Sequence, residues 1–286
     1  MTMAILKCED FNSQQAIWCY ADSCISTDSG VLTNHAMKIY EIQTKQYAYD
    51  QTMHKHLLHT GCLGFVYAGH VNIAMQTYSV ISHIAQHQRA ILLEKDFHNN
   101  NPNHSSIEQL YSSGKYLPLS LEHFAQITAN LLKHHIKSFG TIIRNKAMTE
   151  IAIYGWCHVE NKMRIFHLTP HIDNDIQIRI NKIDFDPNSI VYLGSGKTII
   201  DELNKSGITP SRQMIKKAIN HPDALKQGIG GFVQETRLDK YQMMFVSTIS
   251  LTSNGAVPAF LGFPMPLQLI DGVNTIDSMS FADAIE

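Results

Sequence analysis

Apolar residues along this chain recur first at strand period, then at helix period, then at strand period again. Two short helices and a last strand pair follow, and that order restricts the fold more than any other feature. Residues 2–8 and 16–22 are short β-prone runs around the polar stretch 9–15, which reads as a hairpin. Symmetric pairing about that stretch sets Thr2 opposite Asp22. Residues 34–42 alternate, with Met37, Ile39 and Glu41 on one face and Lys38, Tyr40 and Ile42 on the other. Residues 61–69 form an apolar strand ending at glycine. Over 71–86 the period becomes helical, with Ile73, Thr77, Ile81, Ile84 and Ala85 along one stripe. A second helix is expected over 121–136, with Leu121, Phe124, Leu131 and Leu132 inward and Ser120 as N-cap. Strand-like runs return at 150–158, 162–168, 176–185 and 189–193. A helix over 198–205 ends at Gly207, Thr209-Pro210 starts another, and 230–238 with 241–250 make a closing hairpin. The order of the elements suggests two sheets between helical layers, while periodicity alone supports only a mixed α/β single domain.

Composition narrows the function classes. At 44% apolar and 17% charged residues the chain belongs with ordinary soluble globular proteins. A net charge of −2 gives no reason to expect a nucleic-acid or membrane partner. The five cysteines are scattered and unpaired in number, which favours reduced thiols and a cytoplasmic setting. No signal-peptide pattern or apolar run of membrane-spanning length is visible. Histidine groups such as His54, His56 and His59 lack carboxylates or cysteines at ligand spacing, so no metal is expected. Residues 96–115 are rich in Asn, His and Ser and read as an exposed insertion. The expected layout is one domain over 1–250, with an extension over 251–286.

Thr2 is the candidate for chemistry. Once Met1 is removed, its hydroxyl shares a residue with a free α-amine, and an adjacent amine is one recognised base for a weak hydroxyl nucleophile. In order along the chain stand Thr2, Ala21-Asp22-Ser23, Met37-Lys38-Ile39, Tyr67-Ala68-Gly69, Gly194-Ser195-Gly196 and Gly230-Gly231. Together these segments resemble the proteasome-type N-terminal nucleophile hydrolases, and the sixteen-residue step from Asp22 to Lys38 matches the β-subunit pattern.

The resemblance implies a four-layer αββα sandwich and a threonine-type peptidase or amidase without a cofactor. Thr2 would attack an amide carbonyl with its own α-amine as base. Lys38 would lower the proton affinity beside it, and Asp22 would hold Lys38. Gly69 N–H would donate to the oxyanion, and Ser195 would position the amine or a water. Ile25, Ala36, Tyr40 and Tyr67 would surround the substrate side chain, with Tyr67 narrowing that pocket. A homo-oligomer is implied, and an ATP-dependent unfoldase partner is allowed. The chain departs from the pattern at Cys24, Lys226 and Ile229, where the family has arginine, aspartate and serine. Asp223 is the nearest substitute for the missing aspartate. Two alternatives accompany this reading: a catalytically inactive proteasome-like assembly subunit, and a nucleotide-binding protein using Gly194-Ser195-Gly196-Lys197-Thr198 as a phosphate loop. The second lacks the earlier glycine, since Val191 occupies that position.

Overall fold

A computed structural model describes residues 3–11, 14–27, 30–49, 54–89, 118–139, 147–246, 248–252, 255–260 and 263–264. Thr2 and the 96–115 region lie outside the described residues. The chain opens with β1 (Met3–Phe11) and β2 (Gln14–Asp22). After the small antiparallel pair β3 (Ile25–Thr27) and β4 (Gly30–Thr33) come β5 (Ile39–Tyr49) and β6 (Lys55–Ala68). Helix α1 (Val71–Gln86), the short β7 (Gln88–Arg89) and helix α2 (Leu121–Ser138) follow. Next are β8 (Glu150–Cys157), β9 (Lys162–Asp173), β10 (Asp175–Asp184) and β11 (Ile190–Gly194). Helices α3 (Lys197–Lys205) and α4 (Arg212–Ile219) precede β12 (Val233–Leu238) and β13 (Met243–Val246).

Two sheets carry the structure. One runs β11-β1-β2-β12-β13 and the other β10-β9-β8-β6-β5-β7. Alternation along β1 sorts its side chains between two cores, as strand geometry requires. Ala4, Leu6 and Cys8 face the second sheet, packing with Ile17, Cys19 and Ala21 against Val66, Ala152, Tyr154 and Ile165. Met3 and Ile5 face the other way, toward Ile199, Ile200, Met214 and Ile215 of α3 and α4. A third core lies on the far side of the six-stranded sheet, where Phe65, Tyr67, Ile151 and Ile153 meet Ile73, Ile81, Phe124 and Leu132 of α1 and α2. From these three cores we propose the stacking order helix, sheet, sheet, helix.

Helix α1 spans the residues its period marks out, with Ile73, Thr77, Ile81 and Ala85 buried; Ala74 is buried too, while Ile84 is only half-buried. Ser120 caps α2 by accepting from His123 N. The N-cap of α4 is Ser211 rather than Thr209, and its side chain makes no cap bond.

The first hairpin differs from expectation in its register. Its strands run on through Glu9, Asp10 and Gln15 until Phe11 pairs with Gln14, so only residues 12 and 13 separate the arms. Ala4 faces Ala21, one step off symmetric pairing about the polar stretch, which brings Asp22 to Met3 rather than to Thr2. The polar residues are tolerated in the strands because they find partners: Trp18 Nε1 donates to Glu9, and Met163 N donates to Gln15 Oε1 at 3.0 Å. The next strand also starts late, at Ile39 rather than near Asn34. The closing hairpin is shorter than expected. Beyond β13, strand β14 (Thr248–Thr252) pairs with β15 (Gly255–Phe260) and, through it, β16 (Phe263–Pro264), in a separate small sheet.

Gly64 stands opposite Tyr154 across the β6–β8 ladder, and a Cβ there would overlap the fully buried Tyr154 ring. Gly64→Ala is therefore expected to destabilise the chain by about 2 kcal/mol or more, since overpacking a filled core forces side chains off their rotamers. Chemical denaturation measures this, and an unchanged midpoint would contradict the tight Gly64–Tyr154 packing.

Candidate active site

Asp22 ends β2 with a carboxylate that is 0% exposed. Its Oδ1 accepts from Met3 N at 2.9 Å and Lys38 Nζ at 2.7 Å. Its Oδ2 accepts from Cys24 N at 3.2 Å and Gly230 N at 3.1 Å. All four are acceptor roles, the set an ionised carboxylate fills. Charge-assisted bonds of this kind fix the carboxylate's orientation as well as its charge.

Lys38 is equally buried, at 1% exposed. Burial pushes its ammonium below the ordinary lysine range, and the Asp22 carboxylate pulls it back up. Before β5 the chain is held mostly by side chains, with Lys38 O alone bonding to the β6 backbone, where it accepts from Tyr67 N at 3.3 Å. Lys38 N donates to Gln234 Oε1 at 2.9 Å, the Gln234 amide donates to Ala36 O, and Ala36 N donates to Ser23 O at 2.9 Å. Gln234 is fully buried on β12 beside Ala21. Sequence reasoning missed it, because one glutamine in a strand carries no periodic or motif signal.

Ser23 closes the same corner. Its hydroxyl donates to Asn34 O and accepts from Phe232 N at 2.7 Å. Gly231, at φ +75°, allows this approach, since a Cβ there would collide with Ser23 Oγ and lie 2.5 Å from Asn34 O. Cys24 is buried, and burial chiefly, with the neighbouring Asp22 charge, raises its thiol.

Gly69, just after β6, and Ser195, just after β11, come from the two different sheets. Both line a cavity of about 320 Å³, together with Met148, Glu150, Thr169 and Gly194. Gly69 has φ +130°, and a Cβ would sit 2.5 Å from Met148 O, so the backbone there approaches its neighbour as only glycine allows. Ser195 Oγ donates to Gln227 O at 2.8 Å, which leaves its lone pairs to accept. Glu150, absent from the sequence reading, places its carboxylate in the same cavity.

The four residues expected around the substrate side chain do not line this cavity. Ile25 and Ala36 are half-buried on the β2–β5 connection. Tyr40 and Tyr67 stack with ring centroids 6.5 Å apart, and both hydroxyls donate to Met37 O, at 3.0 and 3.2 Å. Burial pushes the Tyr40 hydroxyl up to about 12. Asp223 offers no substitute near Asp22: its carboxylate pairs with Lys226 Nζ at 2.7 Å on the exposed surface. Ile229 is buried in the core under α3 and α4.

The Gly194–Thr198 turn does not have the shape of a phosphate cradle. Gly196 is packed by Met3 Sδ and Ile229 Cδ1, which would lie 2.8 and 2.9 Å from an added Cβ. Lys197 points to the exposed surface. Among the described residues, no group of three or more His, Cys, Asp and Glu side chains is placed to hold a metal ion. No described helix is long and apolar enough to cross a membrane.

No family model matches the chain, and no curated protein matches it. Among solved structures it is similar to Anbu (ancestral beta-subunit) from Yersinia bercovieri, at 14% identity and a TM-score of 0.48, covering 85% of this chain and 86% of that one. It is also similar to an Anbu (Gly-1) mutant from Hyphomicrobium sp. strain MC1, at 11% identity and a TM-score of 0.44, covering 85% and 82%. These findings overturn the assignment to the proteasome-type N-terminal nucleophile hydrolases. The six segments that suggested it are one to three residues long, too short to carry membership without a family match. What the site can do rests on its own geometry.

Proposed function

We propose that this chain is an N-terminal threonine hydrolase acting on amide bonds, as a peptidase or amidase. The observation that carries this reading is the shared oxygen of Asp22, which accepts from Met3 N and from Lys38 Nζ together. Met3 N is the nitrogen of the Thr2–Met3 peptide bond. A buried ammonium and carboxylate are thereby tied to the backbone one residue after the proposed nucleophile. A structural ion pair alone does not need that link to the chain start.

In the proposed reaction the α-amine of Thr2 takes the hydroxyl proton as Oγ attacks the amide carbon. The carbonyl oxygen becomes an oxyanion, for which the backbone N–H of Gly69 is the proposed donor. A donor of this type is worth about 2.7–4 kcal/mol of transition-state stabilisation. Collapse breaks the C–N bond, with the proton passing to the departing amine, and leaves an ester on Thr2 Oγ. Water then adds to the ester, releases the acid and restores the hydroxyl. Ser195 Oγ, with its proton held by Gln227 O, can accept from the amine or the water. Self-association of the chain is part of the same proposal.

Intact mass and covalent trapping test the reading together. The native protein is expected to lack Met1, and a β-lactone is expected to leave an ester adduct on the N-terminal peptide at Thr2. Retention of Met1 in active protein, or an adduct elsewhere that accounts for inactivation, would sink it.

A further inference from the structure

The cavity between the sheets holds a carboxylate that the proposed reaction does not use. Glu150 begins β8 and is the charged side chain lining that space, beside Gly69 and Ser195. Its Oε2 accepts from His167 Nε2 at 3.0 Å and lies 3.4 Å from Gly194 N. The proton of the first bond belongs to the imidazole, because a carboxylate only accepts. Oε2 is thus fixed by β9 on one side and β11 on the other. Oε1 makes no hydrogen bond among the described residues, and the side chain is 33% exposed. No described lysine or arginine pairs with Glu150.

A half-exposed carboxylate is usually a solvated surface charge, but this one is pinned within a cavity of about 320 Å³. Thr169, Gly194 and Ser195 add neutral polar groups, and Met148 adds apolar surface suited to an alkyl stem. Amphipathic cations bury such a stem while the charged head takes the carboxylate.

We propose that Glu150, oriented by His167, is a specificity subsite for a primary ammonium or guanidinium carried by the substrate beside the scissile amide. The subsite deepens the N-terminal hydrolase reading and rests on it for its place in a reaction, although binding can be measured without turnover. It defines the substrate class as amides with a lysine-like or arginine-like group next to the bond. No bond is made or broken by the subsite itself.

The experiment compares Nα-acetyl-lysine methylamide with the uncharged Nα-acetyl-norleucine methylamide by calorimetric titration of the full chain carrying Thr2→Ala, which prevents turnover. The lysine probe is expected to bind about tenfold more tightly or better, the scale of a charge-assisted hydrogen bond. Glu150→Gln keeps the side chain's shape and is expected to bring the two affinities within about twofold. Thr169→Lys leaves Glu150 intact, places a cation in the same cavity and is expected to do the same. Equal affinities without these changes, or a lysine preference that survives both, would overturn the subsite. Turnover by the unaltered chain separates the two readings. A lysine preference without any hydrolysis refutes the hydrolase and keeps the subsite, whereas hydrolysis of neutral amides without a preference refutes the subsite alone.

Discussion

Thr2→Ala is expected to lower kcat/KM for amide hydrolysis by about 10⁴-fold or more, while Thr2→Ser retains turnover. In the proposed mechanism the hydroxyl and the α-amine act as one unit, so losing either partner would remove most of the chemistry rather than a share of it. Because the base must be unprotonated, kcat/KM should rise with pH through the ordinary α-amine range of about 7.7–8.0 and level off above it. The Lys38 ammonium, tied to the same Asp22 oxygen as Met3 N, would draw that rise toward lower pH. Thermal melts run alongside separate lost chemistry from lost fold. Undiminished turnover by a well-folded Thr2→Ala protein would remove Thr2 from the mechanism.

Asp22→Asn is expected to cost about 3–5 kcal/mol of stability and to abolish activity. Four donors converge on the carboxylate, and an amide can accept through only one of its two heavy atoms. Its NH₂ must face either Met3 N and Lys38 Nζ or Cys24 N and Gly230 N. Lys38 is also left buried beside a neutral group, although burial already depresses its ammonium. The double variant Asp22→Asn with Lys38→Met removes both charges and is expected to recover part of the stability without recovering activity. Denaturant unfolding of the single and double variants measures the coupling directly. A double variant as active as the original chain would show the pair to be structural only.

Much of the fold was legible because its signals are local. The 3.6-residue period marks α1 to its ends, and Ser120 is a cap by residue type and position. The late start of β5 was hidden because residues 36–38 bond to Gln234 and Ser23, distant in sequence, with only Lys38 O reaching the β6 backbone, at Tyr67 N. The hairpin register failed for a related reason. Polarity at Glu9 and Gln15 looks like a loop until Trp18 and Met163 supply partners. In the site, Asp22 and Lys38 were paired only by the family resemblance, and the two side chains do meet. Glu150 begins an ordinary strand, and only the closing of two sheets over it makes a cavity. Asp223 shows the opposite error: nearness in sequence suggested a role that its surface pairing with Lys226 rules out.

The bonds around Asp22 also bear on when this chain can acquire chemistry during synthesis. Its carboxylate is completed by Gly230 N, 208 residues downstream, and the Lys38 backbone by Gln234, 196 residues downstream. Thr2, the nucleophile proposed above, is synthesised long before those donors exist. On the proposed reading the site stays incomplete through about four-fifths of translation, because residues 230 and 234 must be made before Asp22 and Lys38 gain these partners.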